Sequence, residues 1–215
     1  MNVEKFQSEL STIYTQYNET IKPLIADIEA HCQQFPDSLF NEIRALNDHI
    51  ARCFTSNMID SQIAEELKKA ESHVLRITFD CYKYLDVWFY DYIKKFDKDY
   101  TDKIDITLID NGEFAPKFRK LEVDAIKMIR EAKKLESKDK QKSFDLYQAA
   151  YNNYSDLEEL IDSNMSKLNW AKYRKKVKWT VTVLVWIASV VISSIVTISI
   201  GCDEIVAFFT NTFER

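Results

Sequence analysis

Residues Trp179 to Ile200 read WTVTVLVWIASVVISSIVTISI, and the chain stays free of charge through Gly201 and Cys202 until Asp203. As a helix at ~1.5 Å per residue this run spans about 33 Å, which matches a hydrocarbon core of roughly 30 Å. The sequence therefore predicts a single membrane-spanning helix, late in the chain where a signal peptide does not sit. Directly before it stand Lys167, Lys172, Arg174, Lys175, Lys176 and Lys178 with no acidic residue among them, while Asp203 and Glu204 follow. The positive-inside rule then places residues 1–178 in the cytoplasm and the last dozen outside, as in a single-pass protein of the cell inner membrane. Lys172, Arg174, Lys175, Lys176 and Lys178 read as the membrane anchor, with affinity for anionic headgroups, so membrane lipid is an expected partner. Trp170, Tyr173 and Trp179 suit an interfacial aromatic belt. The tail from Glu204 to Arg215 is apolar enough to lie along the outer interface.

Two glycines and three prolines in 215 residues leave few tight turns, so long helices must fill the chain. The expected fold is all-α: a cytosolic bundle of about five long helices, the last continuing into a single C-terminal transmembrane helix. The organisation expected is a bundle over 1–170, a basic juxtamembrane segment over 171–178, the span over 179–201 and an external tail over 202–215. Net charge is −5, and the bundle alone is more acidic still, which argues against a broad nucleic-acid surface. Cys32, Cys53, Cys81 and Cys202 lack metal-like spacing; the first three read as reduced core thiols and Cys202 as a free thiol. No zinc site and no phosphate-cradling glycine loop is present, so neither metal nor cofactor is expected.

Apolar spacing predicts a first helix from about Val3 to Gln33 through Phe6, Leu10, Ile13, Tyr17, Ile21, Leu24, Ile28 and Cys32, kinked at Pro23. A second carries Leu39, Ile43, Leu46, Ile50 and Cys53, and a third runs from about Asp60 to Phe96. The segment YKYLDVWFYDYIKKF, Tyr82 to Phe96, is so aromatic that burial on more than one side is expected. Ile104, Ile106 and Leu108 alternate before Asp110-Asn111-Gly112, which predicts a short extended piece and a turn. A fourth helix is expected over about Pro116 to Ser137. A fifth starts near Lys140 and meets no Gly or Pro before Gly201, so it can run straight into the membrane. No repeat array of 20 to 50 residues is visible.

Helices two and three share a local pattern, an acceptor followed by His-x-x-Arg: Asp48-His49-Ile50-Ala51-Arg52 and Ser72-His73-Val74-Leu75-Arg76. Glu42 and Asp80 extend these polar stripes, which border the apolar ones and so should be partly buried. If the helices form an antiparallel hairpin, positions summing to about 115 face each other. That brings Glu42 and Arg44 near His73, and His49 near Lys68 or Lys69. Such a cluster is either a satisfied network that sets helix register, or a site in which His moves protons and Arg holds an anion.

Arg44-Ala-Leu-Asn-Asp-His49 is an R-x4-H motif on a helix, and in an all-helical chain it resembles the signature of HEPN domains. In nuclease members, Arg and His from two such motifs form a metal-independent ribonuclease site. The resemblance implies that Arg44 positions the scissile phosphate and His49 transfers the proton. This chain departs in having Ala45 after the Arg and in carrying the motif early, in its second helix. Five residues along a straight helix also set Arg44 and His49 about 140° apart, so convergence requires a distorted helix or a second protomer. Combined with a membrane span, the motif is similar to the membrane-bound HEPN-like accessory proteins of RNA-targeting CRISPR systems, which assemble into pores.

Within the span, Ser189, Ser193 and Thr197 fall on one line, extended towards the cytoplasm by Trp186 and Thr182. Hydroxyls in register favour close association of helices, and a ring of several copies could face them to water. Alternatively, each bonds back to its own i−4 carbonyl. Three functions are thus expected to compete. The first is a membrane-anchored oligomeric effector, of a prokaryotic antiviral defence kind, whose body controls pore formation or membrane perturbation. The second is a membrane-localised HEPN-type ribonuclease, and the third a non-enzymatic scaffold or adaptor. A homo-oligomer, and a defence-system protein or RNA, are the expected partners.

Overall fold

The computed structural model describes residues 3–213, with side chains near the end described only in part, so Cys202 and the end of the tail lie outside the described residues. It is all-α, with no strand among the described residues. The elements are α1 (Val3–Gln16), α2 (Lys22–Cys32), α3 (Asp37–Arg52), α4 (Asp60–Phe96), α5 (Phe114–Leu135) and α6 (Lys140–Phe213).

The kink expected at Pro23 takes the form of a π-helical turn over Tyr17–Ile21, joining α1 to α2. Proline has no N–H for the carbonyl four residues back and its ring crowds that carbonyl. The preceding turn widens instead, and Lys22 N–H donates to the Tyr17 carbonyl. Ile13, Ile21, Leu24 and Ile28 all stay buried across this bulge. Gln33 then takes a left-handed conformation (φ 53°) and closes α2 by donating to the Glu29 carbonyl at 3.0 Å.

Two antiparallel hairpins, α3–α4 and α5–α6, pack through α4 and α6, with α1 and α2 laid across α4. The α4–α6 seam is aromatic: Phe89 stacks on Tyr154 at 4.8 Å and Tyr82 on Tyr147 at 5.9 Å. Burial of the aromatic segment is more one-sided than its composition suggests. Tyr82, Leu85, Phe89, Ile93 and Phe96 are buried at helical spacing, whereas Tyr84, Val87 and Tyr90 face outward. Of the thiols, Cys53 and Cys81 are buried and Cys32 half-buried, all unbridged, and burial pushes the Cys81 thiol up to about 12.

The extended piece expected over Ile104–Leu108 is not there. After a π-helical turn at Asp97–Thr101 the chain forms a 3-10 segment, Ile106–Gly112, with Asp110 and Asn111 left-handed. A lone extended stretch would leave its backbone groups unpaired, and among the described residues there is no neighbouring strand to take them. Asp105 Oδ1 accepts from Thr107 N–H at 3.0 Å, starting the 3-10 turn, while Ile104, Ile106 and Ile109 are buried and Leu108 is exposed.

α6 begins where Asp139 Oδ1 accepts from Lys142 N–H at 3.0 Å, and continues for 74 residues. Tyr147, Ala150, Tyr154, Leu157, Ile161 and Leu168 bury its first part. From Trp179 to Ser199 no residue is buried, and this is the one described helix long and apolar enough to cross a membrane. Phe89→Ala should lower unfolding stability by about 3–5 kcal/mol in denaturant titrations of the detergent-solubilised chain, because it empties the centre of the α4–α6 seam. A loss below about 1 kcal/mol would contradict that packing.

Candidate functional site

Midway along the α3–α4 hairpin two histidines meet face to face, their rings 5.1 Å apart and inclined by 25°. Each is held by a carboxylate from the opposite helix: His49 Nδ1 lies 2.7 Å from Glu66 Oε2, and His73 Nδ1 lies 2.6 Å from Glu42 Oε2. Each carboxylate is also approached by an arginine. Arg52 is 3.7 Å from Glu66 and 2.5 Å from Asp48, and Arg76 is 3.8 Å from Glu42 with a 3.3 Å hydrogen bond to Ser72. The two halves therefore have the same wiring.

The reason lies in a short internal duplication that extends the shared His-x-x-Arg pattern towards the N-terminus of each copy. EIRALNDHIAR (42–52) and ELKKAESHVLR (66–76) align with one offset of 24 residues, matching Glu, His and Arg and placing Asp48 with Ser72. The apolar positions Ile43, Leu46 and Ile50 correspond to Leu67, Ala70 and Val74. Two copies in an antiparallel hairpin are related by an approximate two-fold axis, so the Glu of each must face the His of the other. The duplication is a single pair of eleven residues, too short to register as an array, but its conserved Glu-x6-His-x2-Arg spacing is readable by eye.

The copies differ at one telling place. Lys69 donates to Glu66 Oε1 at 2.8 Å, whereas its counterpart on α3 is Ala45. The hydrogen bonds from His49 and then Lys69 hold the Glu66 carboxyl at about 2, well below its ordinary range. An ionised carboxylate only accepts, so His49 carries its proton on Nδ1 and its Nε2 is the basic atom of the neutral ring. Neither Nε2 has a hydrogen-bond partner among the described residues, and neither is sealed from solvent. The arrangement presents two carboxylate-oriented imidazoles side by side. Among the described residues no group of three or more His, Cys, Asp or Glu is placed to hold a metal ion.

Two residues named from sequence lie apart from this pair. Arg44 is exposed and makes no hydrogen bond or ion pair among the described residues, so it meets neither His73 nor, within one chain, His49. Asp80 pairs instead with Lys83 at 3.6 Å. The expected neighbours of His49, Lys68 or Lys69, give way to Glu66, which Lys69 reaches from its other oxygen. His31, unremarkable in sequence, stacks on Trp88 at 4.0 Å and lies 4.0 Å from Glu158, so it joins α2, α4 and α6.

Along the charge-free run of α6, Ser189 donates to the Val185 carbonyl at 2.8 Å and Thr197 to that of Ser193 at 2.9 Å. The Ser193 hydroxyl has no such partner among the described residues, which leaves the centre of the line available to another helix. Above it, Lys172 sits 4.9 Å over the Tyr100 ring, Lys175 donates to the Lys103 carbonyl, and Arg174, Lys176 and Lys178 are exposed. No protein-family model, curated protein or solved structure matches this chain.

The Glu66 pairing sets a pH dependence. Its carboxyl is depressed in the folded chain, so the stabilisation is complete above the ordinary value of 4.5 and is lost as pH falls towards about 2. Glu66→Gln should cost roughly 1–3 kcal/mol at pH 7 and nothing extra at pH 2, when unfolding is followed by circular dichroism across that range. His49→Ala, which removes the leading hydrogen bond, should shift this loss to higher pH.

Proposed function

We propose that this chain is a membrane-anchored oligomeric effector whose helical body controls how its spans associate, forming a pore or otherwise perturbing the membrane. The observation that carries the reading is the continuity of α6. One helix is packed into the bundle over its first part and bare over the charge-free run, with no Gly or Pro between Lys140 and Gly201. A helix without a breaker passes rotation and tilt from the bundle to the span. The bare run needs an apolar cover, which lipid or further copies supply, and the open Ser193 hydroxyl favours copies.

The orientation proposed is the bundle in the cytoplasm and the helix end outside an inner membrane, on the strength of the basic residues before Trp179. The antiviral-defence assignment rests on the HEPN-like motif and membrane architecture together. In the ribonuclease alternative Arg44 of one chain has to reach His49 of another, and RNA cleavage compared among wild type, Arg44→Ala and His49→Ala decides it.

Reconstituted into dye-loaded vesicles, the full chain should release dye, and Ser193→Leu should reduce release at least about fivefold while leaving the chain inserted. The same variant should shift the detergent-solubilised assembly to fewer copies by light scattering. Release unchanged by Ser193→Leu, or none from either protein, would refute span association as the working step.

A further inference from the structure

We propose that the groove between the Ile106–Gly112 segment and the α6 stretch from Lys167 to Lys178 binds the phosphate headgroup of an anionic phospholipid. The inference rests on the membrane reading of α6. The groove has a volume of about 1080 Å³, and its walls include Ile104, Leu108 and Asp110 on one side and Trp170, Arg174 and Lys178 on the other. Its height follows from helix geometry. Lys178 is one residue and Arg174 five residues before the charge-free run, or about 1.5 and 7.5 Å at ~1.5 Å per residue. Each headgroup layer is roughly 5–8 Å thick, so both cations lie within it or at its edge.

The loop wall is tied down at two points. Lys167 Nζ lies 2.6 Å from Asp110 Oδ1, and Lys175 Nζ donates to the Lys103 carbonyl. Both carboxylates in the lining are already engaged: Asp110 by Lys167, and Asp105 by the Thr107 N–H and hydroxyl. Arg174, Lys175 and Lys178 have no carboxylate partner among the described residues, Lys175 being held by the Lys103 carbonyl, so the groove keeps a net positive charge with Arg174 and Lys178 free to meet a ligand. A guanidinium suits the oxygens of a phosphate, and an ammonium beside it adds charge.

A free phosphate would use only this cationic side. Val177, 40% exposed and two residues (about 3 Å) before the charge-free run, offers apolar surface on the membrane side of Arg174, and Leu108, 76% exposed, adds more to the same groove. That surface matches the glycerol and upper acyl region of a lipid, and the groove stands directly above the apolar run. A phospholipid uses both sides at once.

The test uses the full chain in a neutral detergent, which removes the surface potential of a bilayer, with fluorescent phosphatidylglycerol and phosphatidylcholine as probes. Phosphatidylglycerol should bind at least about tenfold more tightly, be displaced by unlabelled phosphatidylglycerol, and resist millimolar inorganic phosphate. The pair Arg174→Gln with Lys178→Gln should weaken it about tenfold. Lys172→Gln with Lys176→Gln removes equal charge outside the groove and should weaken it less than about twofold. Equal binding of the two lipids, or equal loss from the two pairs, overturns the proposal, and displacement by phosphate overturns the lipid as source. Flotation of each protein with phosphatidylcholine vesicles after an alkaline wash reads the span separately. Failure to float refutes the membrane reading, whereas flotation without headgroup preference refutes only the groove.

Discussion

The burial of one stripe of α6 against α4 and α5 is the contact on which the rest of this molecule depends. Tyr147, Tyr154, Leu157 and Ile161 hold the helix in the bundle, and Phe89 and Tyr82 of α4 stack against the first two. Large aromatic faces bury much apolar area for little side-chain entropy, which makes this seam the stiff centre of the chain. Because the helix does not break afterwards, the same seam sets the direction in which the charge-free run leaves the bundle. The basic collar, the aromatic belt and the loop beside them all take their positions from it.

The histidine pair follows a different logic. Partly buried charges gain little net stability, since desolvation offsets much of their attraction. What reciprocal Glu–His bonds do well is define register. Sliding α3 past α4 by one turn would break both at once and leave Glu66, 11% exposed, without its main partner. The duplicated motif makes this inexpensive to encode, because one set of residues satisfies itself across an approximate two-fold axis. The accessible Nε2 atoms are then a by-product of orientation, open to chemistry without needing it for folding.

Much of the helical layout was legible because hydrophobic spacing is a local property. The limits of α4 coincide with those expected, and Glu42 faces His73 as the hairpin register required. Other expectations stopped at the range of local patterns. Alternation at Ile104, Ile106 and Leu108 looked like a strand, yet a strand exists only with a partner edge, and in the 3-10 segment formed instead Ile104 and Ile106 are buried while Leu108 is exposed. Arg44 and His49 made a motif in sequence, but the turn of a straight helix sets them on different sides. The kink at Pro23 was expected, whereas its form as a π turn over Tyr17–Ile21, with Ile13, Ile21 and Leu24 all kept buried, was not legible from local spacing.

By itself the sequence determined the all-helical class, the existence of one long apolar helix and the basic collar before it. These depend on composition and on periods of a few residues, which no distant contact can alter. Tertiary structure alone decided that Asp80 stands apart and that a loop closes a groove over the basic collar, whereas the Glu66–His49 contact already satisfies the hairpin register that pairs Glu42 with His73. Those outcomes depend on how helices far apart in sequence are rotated about their axes, and that rotation is set by the packing of the whole core. The charge-free run could be read from twenty-four letters; what holds it, and how stiffly, needed the fold.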